Sequence, residues 1–184
     1  MAERARSFGP TVLLGLAGAT LASVAGARTW ATASGSATGV DVQGSVKGSE
    51  SAPLVVALAL VTLAAWGAVL VVRGRVRRAV AVVGAVAALG VVSATVAAFS
   101  RAQSDAADAA FAKGATGDVL RSSLTAWYYA AAVGGAMTLV AFTVAVAVSG
   151  RWPGMGSRYD APATRAVSEP DMWRALDDGR DPTE

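Results

Sequence analysis

Four long apolar runs set the pattern of the chain, and polar segments separate them. Residues 8–27, 53–72, 79–99 and 126–149 contain no Asp, Glu, Lys or Arg. At a rise of about 1.5 Å per residue, about 20 residues in a helix cross the roughly 30 Å hydrocarbon core of a bilayer. The pattern therefore predicts four transmembrane helices, and hence an all-α, multi-pass membrane protein with the lipid bilayer as its first partner.

The segment between the second and third runs predicts the orientation of these helices. Residues 73–78 read Arg-Gly-Arg-Val-Arg-Arg, with four basic residues and no acid. Short loops this basic stay in the cytoplasm, because guanidinium groups are costly to translocate. We therefore expect a hairpin with a six-residue cytoplasmic turn and an antiparallel four-helix bundle in the cell membrane, with both termini in the cytoplasm. Four residues determine this topology: Arg73, Arg75, Arg77 and Arg78.

The first apolar run has a second interpretation. Ala25-Gly26-Ala27 fits the small-x-small pattern of a signal-peptide cleavage site. The run is about 20 residues long, whereas the apolar region of a signal peptide usually has 7–15 residues. We favour an uncleaved first span, and either interpretation leaves the hairpin in the same orientation.

Two polar segments follow spans that end outside. In residues 29–52, Val40, Val42 and Val46 alternate with polar residues and glycine. This pattern is typical of a short two-stranded β-ribbon, and a flexible loop fits it equally well. In the second outside segment, residues 102–112 predict a short helix on the membrane surface that Gly114 and Gly117 would end.

The amino-acid composition argues against several classes of function. The net charge is +3, but the excess Arg lies at helix ends and in the turn, so we expect no nucleic-acid partner. The chain contains no Cys and no His, which removes disulfides, Cys/His metal sites and Ser-His-Asp triads. We therefore expect no cofactor and no enzymatic activity. The uncharged spans also argue against an ion-coupled transporter, because such proteins place ionisable groups at mid-membrane.

Residues 151–184 form a polar C-terminal tail. Trp152 suits the inner membrane interface, and Pro153-Gly154 would stop the last helix. Residues 170–178 predict a short helix on which Met172, Trp173 and Leu176 form an apolar patch. An isolated helix of this length is marginal in water, so the patch either docks on a protein or stays unfolded as an acidic end.

Two tail motifs resemble a known family. Trp-Pro-Gly-Met-Gly-Ser-Arg-Tyr-Asp at 152–160 and Asp-Met-Trp-Arg-Ala-Leu-Asp-Asp-Gly-Arg-Asp-Pro-Thr at 171–183 are similar to the tail of the actinobacterial tryptophan-biosynthesis-associated membrane proteins. The resemblance implies a cell-membrane location and a genomic link to tryptophan synthesis, with no catalytic residues to carry over. The candidate partner-binding residues are Trp152, Met155, Arg158, Tyr159, Asp160, Met172, Trp173 and Leu176.

Two functional hypotheses follow. In the first, the protein is non-enzymatic and acts through its tail on a cytoplasmic protein partner. In the second, several copies form a homo-oligomeric channel or exporter for tryptophan or a related indole. The aromatic residues that motivate the second hypothesis are more typical of membrane-interface belts: Trp30, Trp66, Trp127, Tyr128 and Tyr129.

Overall fold

The computed structural model describes residues 8–37, 40–72 and 74–148 of the chain. This part consists of four long helices, one short helix and three strands. In chain order they are α1 (Phe8–Gly26), β1 (Thr29–Ala37), β2 (Val40–Lys47), α2 (Gly48–Ser51), α3 (Pro53–Val71), α4 (Gly74–Phe111), β3 (Thr116–Leu124) and α5 (Ala126–Val148).

The four long helices α1, α3, α4 and α5 are each long and apolar enough to cross a membrane, which confirms the four predicted spans. Helix α1 packs against α3 and α5, and α4 packs against the same two helices. The contact between α1 and α5 is close, since a Cβ atom added at Gly18 would lie 2.8 Å from the carbonyl oxygen of Gly134. Ala22, one turn further along α1, is fully buried. Small residues thus allow the two backbones to approach.

Helix α4 corrects two predictions. It begins at Gly74, so Arg75, Arg77 and Arg78 lie in its first turns, and the expected six-residue turn is wrong. Gly74 adopts a positive φ of 63°, which reverses the chain within a few residues, and Arg is a good helix former. The separate surface helix at 102–112 is also wrong: after Gly90, neither Gly nor Pro interrupts α4 before its end at Phe111.

Helix α4 is too long to lie entirely within a bilayer. Its 38 residues span about 57 Å, nearly twice the thickness of the hydrocarbon core. Its only charged residues beyond the first turns are Arg101, Asp105 and Asp108, all in the last third. This charged part, residues 100–111, therefore stands outside the membrane as an extension of the third span.

Three antiparallel strands form a sheet in the order β2-β1-β3. The predicted ribbon is present as the β1–β2 hairpin, which removes the flexible-loop alternative for residues 40–47. Strand β3 comes from the second polar segment and pairs with the other side of β1. The expected two-stranded ribbon is thus a three-stranded sheet.

The sheet rests on the extension of α4. Ala102, Ala106 and Ala110 recur every fourth residue and are fully buried. Gly44 of β2 faces this stripe, where an added Cβ atom would lie 2.9 Å from Cα of Ala110. The small residues on both sides of this contact therefore let the sheet lie directly on the helix. We call the sheet together with residues 100–111 the sheet end of the molecule.

Candidate functional site

The predicted partner-binding residues lie outside the described residues. This set comprises Trp152, Met155, Arg158, Tyr159, Asp160, Met172, Trp173 and Leu176, and Arg73 also falls outside. Their proposed roles stay predictions.

The three described topology-determining arginines do not have the same environment. Arg75 and Arg78 are exposed, whereas Arg77 is only 6% exposed. The Nε of Arg77 donates a hydrogen bond to the carbonyl oxygen of Val72 at 3.0 Å. Val72 is the C-cap residue directly after α3, so this guanidinium caps a helix C-terminus, where a positive charge is favourable. Arg77 thus joins α3 to α4 in addition to any role in orientation.

A buried aromatic cluster fills the bundle interior. Trp66 stacks on Phe142 with ring centroids 4.5 Å apart, and both side chains are fully buried. Trp66 Nε1 donates to Thr138 Oγ1 at 3.2 Å, and Thr138 Oγ1 donates to the carbonyl oxygen of Gly15 at 3.2 Å. This chain of hydrogen bonds connects α3, α5 and α1. Trp66 is thus a packing residue of the bundle interior and does not belong to a membrane-interface belt.

A second aromatic cluster lies where the helices meet the sheet. Trp30 Nε1 donates to the carbonyl oxygen of Ala25 at 2.8 Å, and the ring of Tyr128 stands edge-on to Trp30 with centroids 5.3 Å apart. The hydroxyl of Tyr128 donates to the carbonyl oxygen of Thr95 at 2.9 Å. Trp30 and Tyr128 are buried, so their interpretation as interface-belt residues is wrong. The polar atom of each of these buried rings donates to a backbone carbonyl oxygen and not to the lipid headgroups or water.

Two neighbouring aromatics do fit an interface belt. Trp127 is 40% exposed and Tyr129 is 56% exposed at the start of α5. The guanidinium of Arg28 lies 5.3 Å from the ring centroid of Trp127, within the range of a cation–π interaction. An exposed ring paired with a basic residue at a helix end is typical of the membrane–water boundary.

The sheet is tied to its helical support by two polar contacts. Ser51 Oγ donates to Asp105 Oδ2 at 2.6 Å, which joins α2 to the extension of α4. Lys113 Nζ donates to the carbonyl oxygen of Gln43 at 2.9 Å, which joins the chain after α4 to β2. Together with the buried alanine stripe, these contacts make the sheet a supported platform.

The outer face of this platform carries a polar cleft. Strand pairing places Ser36 opposite Asp41 and Ser34 opposite Arg121, so the four residues share one face of the sheet. Ala31 and Ala33, on the other face of β1, are buried against α4. The cleft has a volume of about 280 Å³ and is lined by Ser34, Gly35, Ser36, Asp41 and Arg121.

The side chains that line the cleft are suited to binding a polar ligand through hydrogen bonds and charge. It offers a guanidinium donor, a carboxylate acceptor and serine hydroxyls. Across residues 8–37, 40–72 and 74–148, no group of three or more His, Cys, Asp or Glu side chains could hold a metal ion. Sequence reasoning did not single out these residues, although Asp41 and Arg121 were visible as charges in the two outside segments. The missing information was the pairing of β3 with β1.

Comparison with known protein families identifies a match to this chain. A model of the tryptophan-associated transmembrane protein family matches residues 12–183. No curated protein and no solved structure matches the chain. The family match covers α1 from residue 12 onward, the other three long helices, the sheet and nearly all of the tail. The chain therefore belongs to the tryptophan-associated transmembrane protein family.

Proposed function

We propose that this protein is a non-enzymatic, multi-pass anchor in the cell membrane that presents its cytoplasmic tail to a protein partner. The observation that carries the proposal is the filled interior of the bundle. Trp66, Phe142 and Thr138 are fully buried and tie three helices together. A single copy packed in this way supports anchoring better than conduction, because a conduit needs a polar or water-filled path.

The orientation is part of the proposal. Gly15 of α1 meets Thr138 of α5, and Gly18 meets Gly134, so later residues of one helix meet earlier residues of the other. This order supports an antiparallel bundle. We place the exposed Arg75 and Arg78 on the cytoplasmic side, because short basic segments of membrane proteins prefer that side. The sheet end then lies outside the cell, and both termini lie in the cytoplasm.

The use of buried hydroxyl groups supports a non-enzymatic role. Thr62 donates to the carbonyl oxygen of Ala59 at 2.7 Å, and Thr95 donates to that of Val91 at 2.8 Å. Thr138 is likewise engaged with Gly15. Each of these buried hydroxyls satisfies its own hydrogen-bonding need within the bundle, and none is paired with a general base that would activate it.

The tail supplies the partner-binding surface in this proposal. Met172, Trp173 and Leu176 would form one apolar patch if residues 170–178 become helical on binding. Nearby acids, Asp171, Asp177 and Asp178, would be repelled by an anionic lipid surface, so a protein is the better partner. Trp173 would be the anchor, since buried Trp is common at interaction hot spots.

Co-purification from cross-linked membranes tests the tail. Trp173→Ala should remove any partner that the unaltered chain retains, because the main apolar anchor is lost. Arg174→Ala is the matched control, since it changes the neighbouring residue outside the apolar patch and should retain the partner. Both variants should reach the membrane in equal amounts. Equal recovery of every retained protein by Trp173→Ala and the unaltered chain would contradict the proposal.

One observation favours the alternative of an oligomeric exporter. A groove of about 460 Å³ runs between α4 and α5 on the outside of the bundle. Its lining is apolar apart from Thr143, and a second copy placed over it would enclose a passage suited to an indole ring. Under this alternative, a deletion strain loaded with tryptophan or indole should export it more slowly. Unchanged efflux of both compounds would contradict the exporter alternative.

A further inference from the structure

The cleft on the sheet holds two opposite charges that do not neutralise each other. Asp41 lies on β2 and Arg121 on β3, and both side chains are exposed. Within the part of the chain whose side chains the structure describes, neither forms an ion pair. Strand β1 lies between them, so the sheet itself keeps the two charges apart.

Strand geometry sets the distance between the two charged residues. Asp41 pairs with Ser36 and Arg121 pairs with Ser34, two positions apart on the central strand. Strands about 4.8 Å apart, with a rise of about 3.3 Å per residue, place the two Cα atoms about 12 Å from each other. The cleft that both residues line has a volume of about 280 Å³, which is room for a small molecule.

The lining indicates the kind of molecule. A guanidinium binds a carboxylate through paired N–H donors, and an aspartate accepts hydrogen bonds from an ammonium group. Ser34 adds a hydroxyl between the two charges, and Gly35 presents only backbone. Among the lining residues that the structure describes, none has an aromatic or aliphatic side chain that would receive a large apolar group. A ligand with one anionic group, one cationic group and little apolar surface matches all of these features.

We infer that this cleft is a binding site for a small zwitterion of the amino-acid type. Arg121 binds the carboxylate of the ligand, Asp41 binds its ammonium group, and the hydroxyl of Ser34 contacts the polar atoms between them. The contacts of Ser51 with Asp105 and of Lys113 with Gln43 hold the platform, so the two charges keep their spacing before the ligand arrives. Binding depends on the sheet alone, neither on the tail nor on the side of the membrane that the sheet occupies.

Titration of the purified full-length protein in detergent micelles tests the site, with glycine as the probe. Backbone amide shifts of Ser34, Ser36 and Arg121 report binding. Acetate and methylammonium each carry one of the two charged groups of glycine. Each should bind about fivefold more weakly than glycine, the upper end of the loss expected for one exposed charge contact.

Substitutions at the two charges make the test specific. Arg121→Gln and Asp41→Asn should each weaken glycine binding by about fivefold. The exchanged pair Asp41→Arg with Arg121→Asp should restore it. Lys47→Gln is the control, because Lys47 is exposed at the other end of β2 and lies outside the lining. All of these residues are exposed, so the fold should persist, as unchanged amide shifts of the buried Ala33 and Val46 would verify.

Three results would overturn the inference. The first is the absence of saturable glycine binding at millimolar concentrations, the second is acetate binding as tight as that of glycine, and the third is glycine binding of unchanged affinity in both Arg121→Gln and Asp41→Asn. The tail experiment has a separate readout, so failure at the cleft leaves the anchor proposal standing.

Discussion

The hydroxyl of Thr138 has an unusual position, because it accepts a hydrogen bond from one helix and donates one to another. Trp66 of α3 donates to it, and it donates to Gly15 of α1. Most other buried threonines of the bundle bond only to their own helix, as Thr62 and Thr95 do. In a membrane, where apolar side chains gain little by leaving lipid, such interhelical bonds and close packing hold helices together. Thr138 is therefore the residue on which three helices converge.

Removal of this hydroxyl should weaken the bundle. Thr138→Val keeps the shape of the side chain but leaves the indole N–H of Trp66 without its acceptor. We expect the free energy of unfolding to fall by about 0.5–2 kcal/mol, the range for a lost interhelical or buried hydrogen bond. Thr143→Val is the control on the same helix, since Thr143 is exposed and bonds only to Leu139. Unfolding by sodium dodecyl sulfate in bicelles measures both, and equal destabilisation of the two variants would contradict the role given to Thr138.

At the scale of elements, the helix α4 organises the molecule, because it serves both as a span and as the support of the sheet. Its inner part packs against α3 and α5, and its last third carries the sheet on Ala102, Ala106 and Ala110. The same every-fourth spacing of small residues that suits helix packing in lipid continues beyond the membrane. One continuous helix therefore links the sheet to the third span.

Gly44→Val should separate the sheet from α4. An added Cβ atom at this position would lie 2.9 Å from Cα of Ala110, and valine adds two further methyl groups. Overpacking of this kind typically costs about 1–3 kcal/mol. We expect faster hydrogen exchange at the amides of β1 and β2 and unchanged exchange in α1 and α3. Ser45→Val is the control, because Ser45 is exposed on the opposite face of the same strand. Unchanged exchange in Gly44→Val would show that the sheet does not rest on the helix as described.

Some of these elements could be predicted from the sequence and others could not. The four spans could be predicted because an uninterrupted apolar run of about 20 residues is a local property of the sequence. The length of α4 could not, because residues 100–111 are rich in alanine and charge and suit a separate surface helix equally well. Strand β3 and the cleft depend on pairing between Ser34 and Arg121, which lie far apart in the chain. The register of this pairing is fixed by the packing of the sheet on α4. Such packing cannot be predicted from a local sequence pattern.

At the scale of the whole molecule, the filled bundle has two ends with different chemistry. One end carries exposed basic residues, Arg75 and Arg78, and the other carries the sheet. Family membership adds an association with tryptophan and a transmembrane location. We propose that the sheet end faces outward while the tail remains in the cytoplasm, so that one chain connects the two sides of the membrane.

Labelling of single cysteines in intact cells tests this claim most directly. The chain contains no Cys, so each introduced thiol reports one position without a background. Ser45→Cys lies on the exposed face of the sheet, and Thr183→Cys lies near the end of the tail. A membrane-impermeant maleimide should label Ser45→Cys in intact cells and Thr183→Cys only after the cells are permeabilised. Labelling of Thr183→Cys in intact cells, or protection of Ser45→Cys until permeabilisation, would contradict the account.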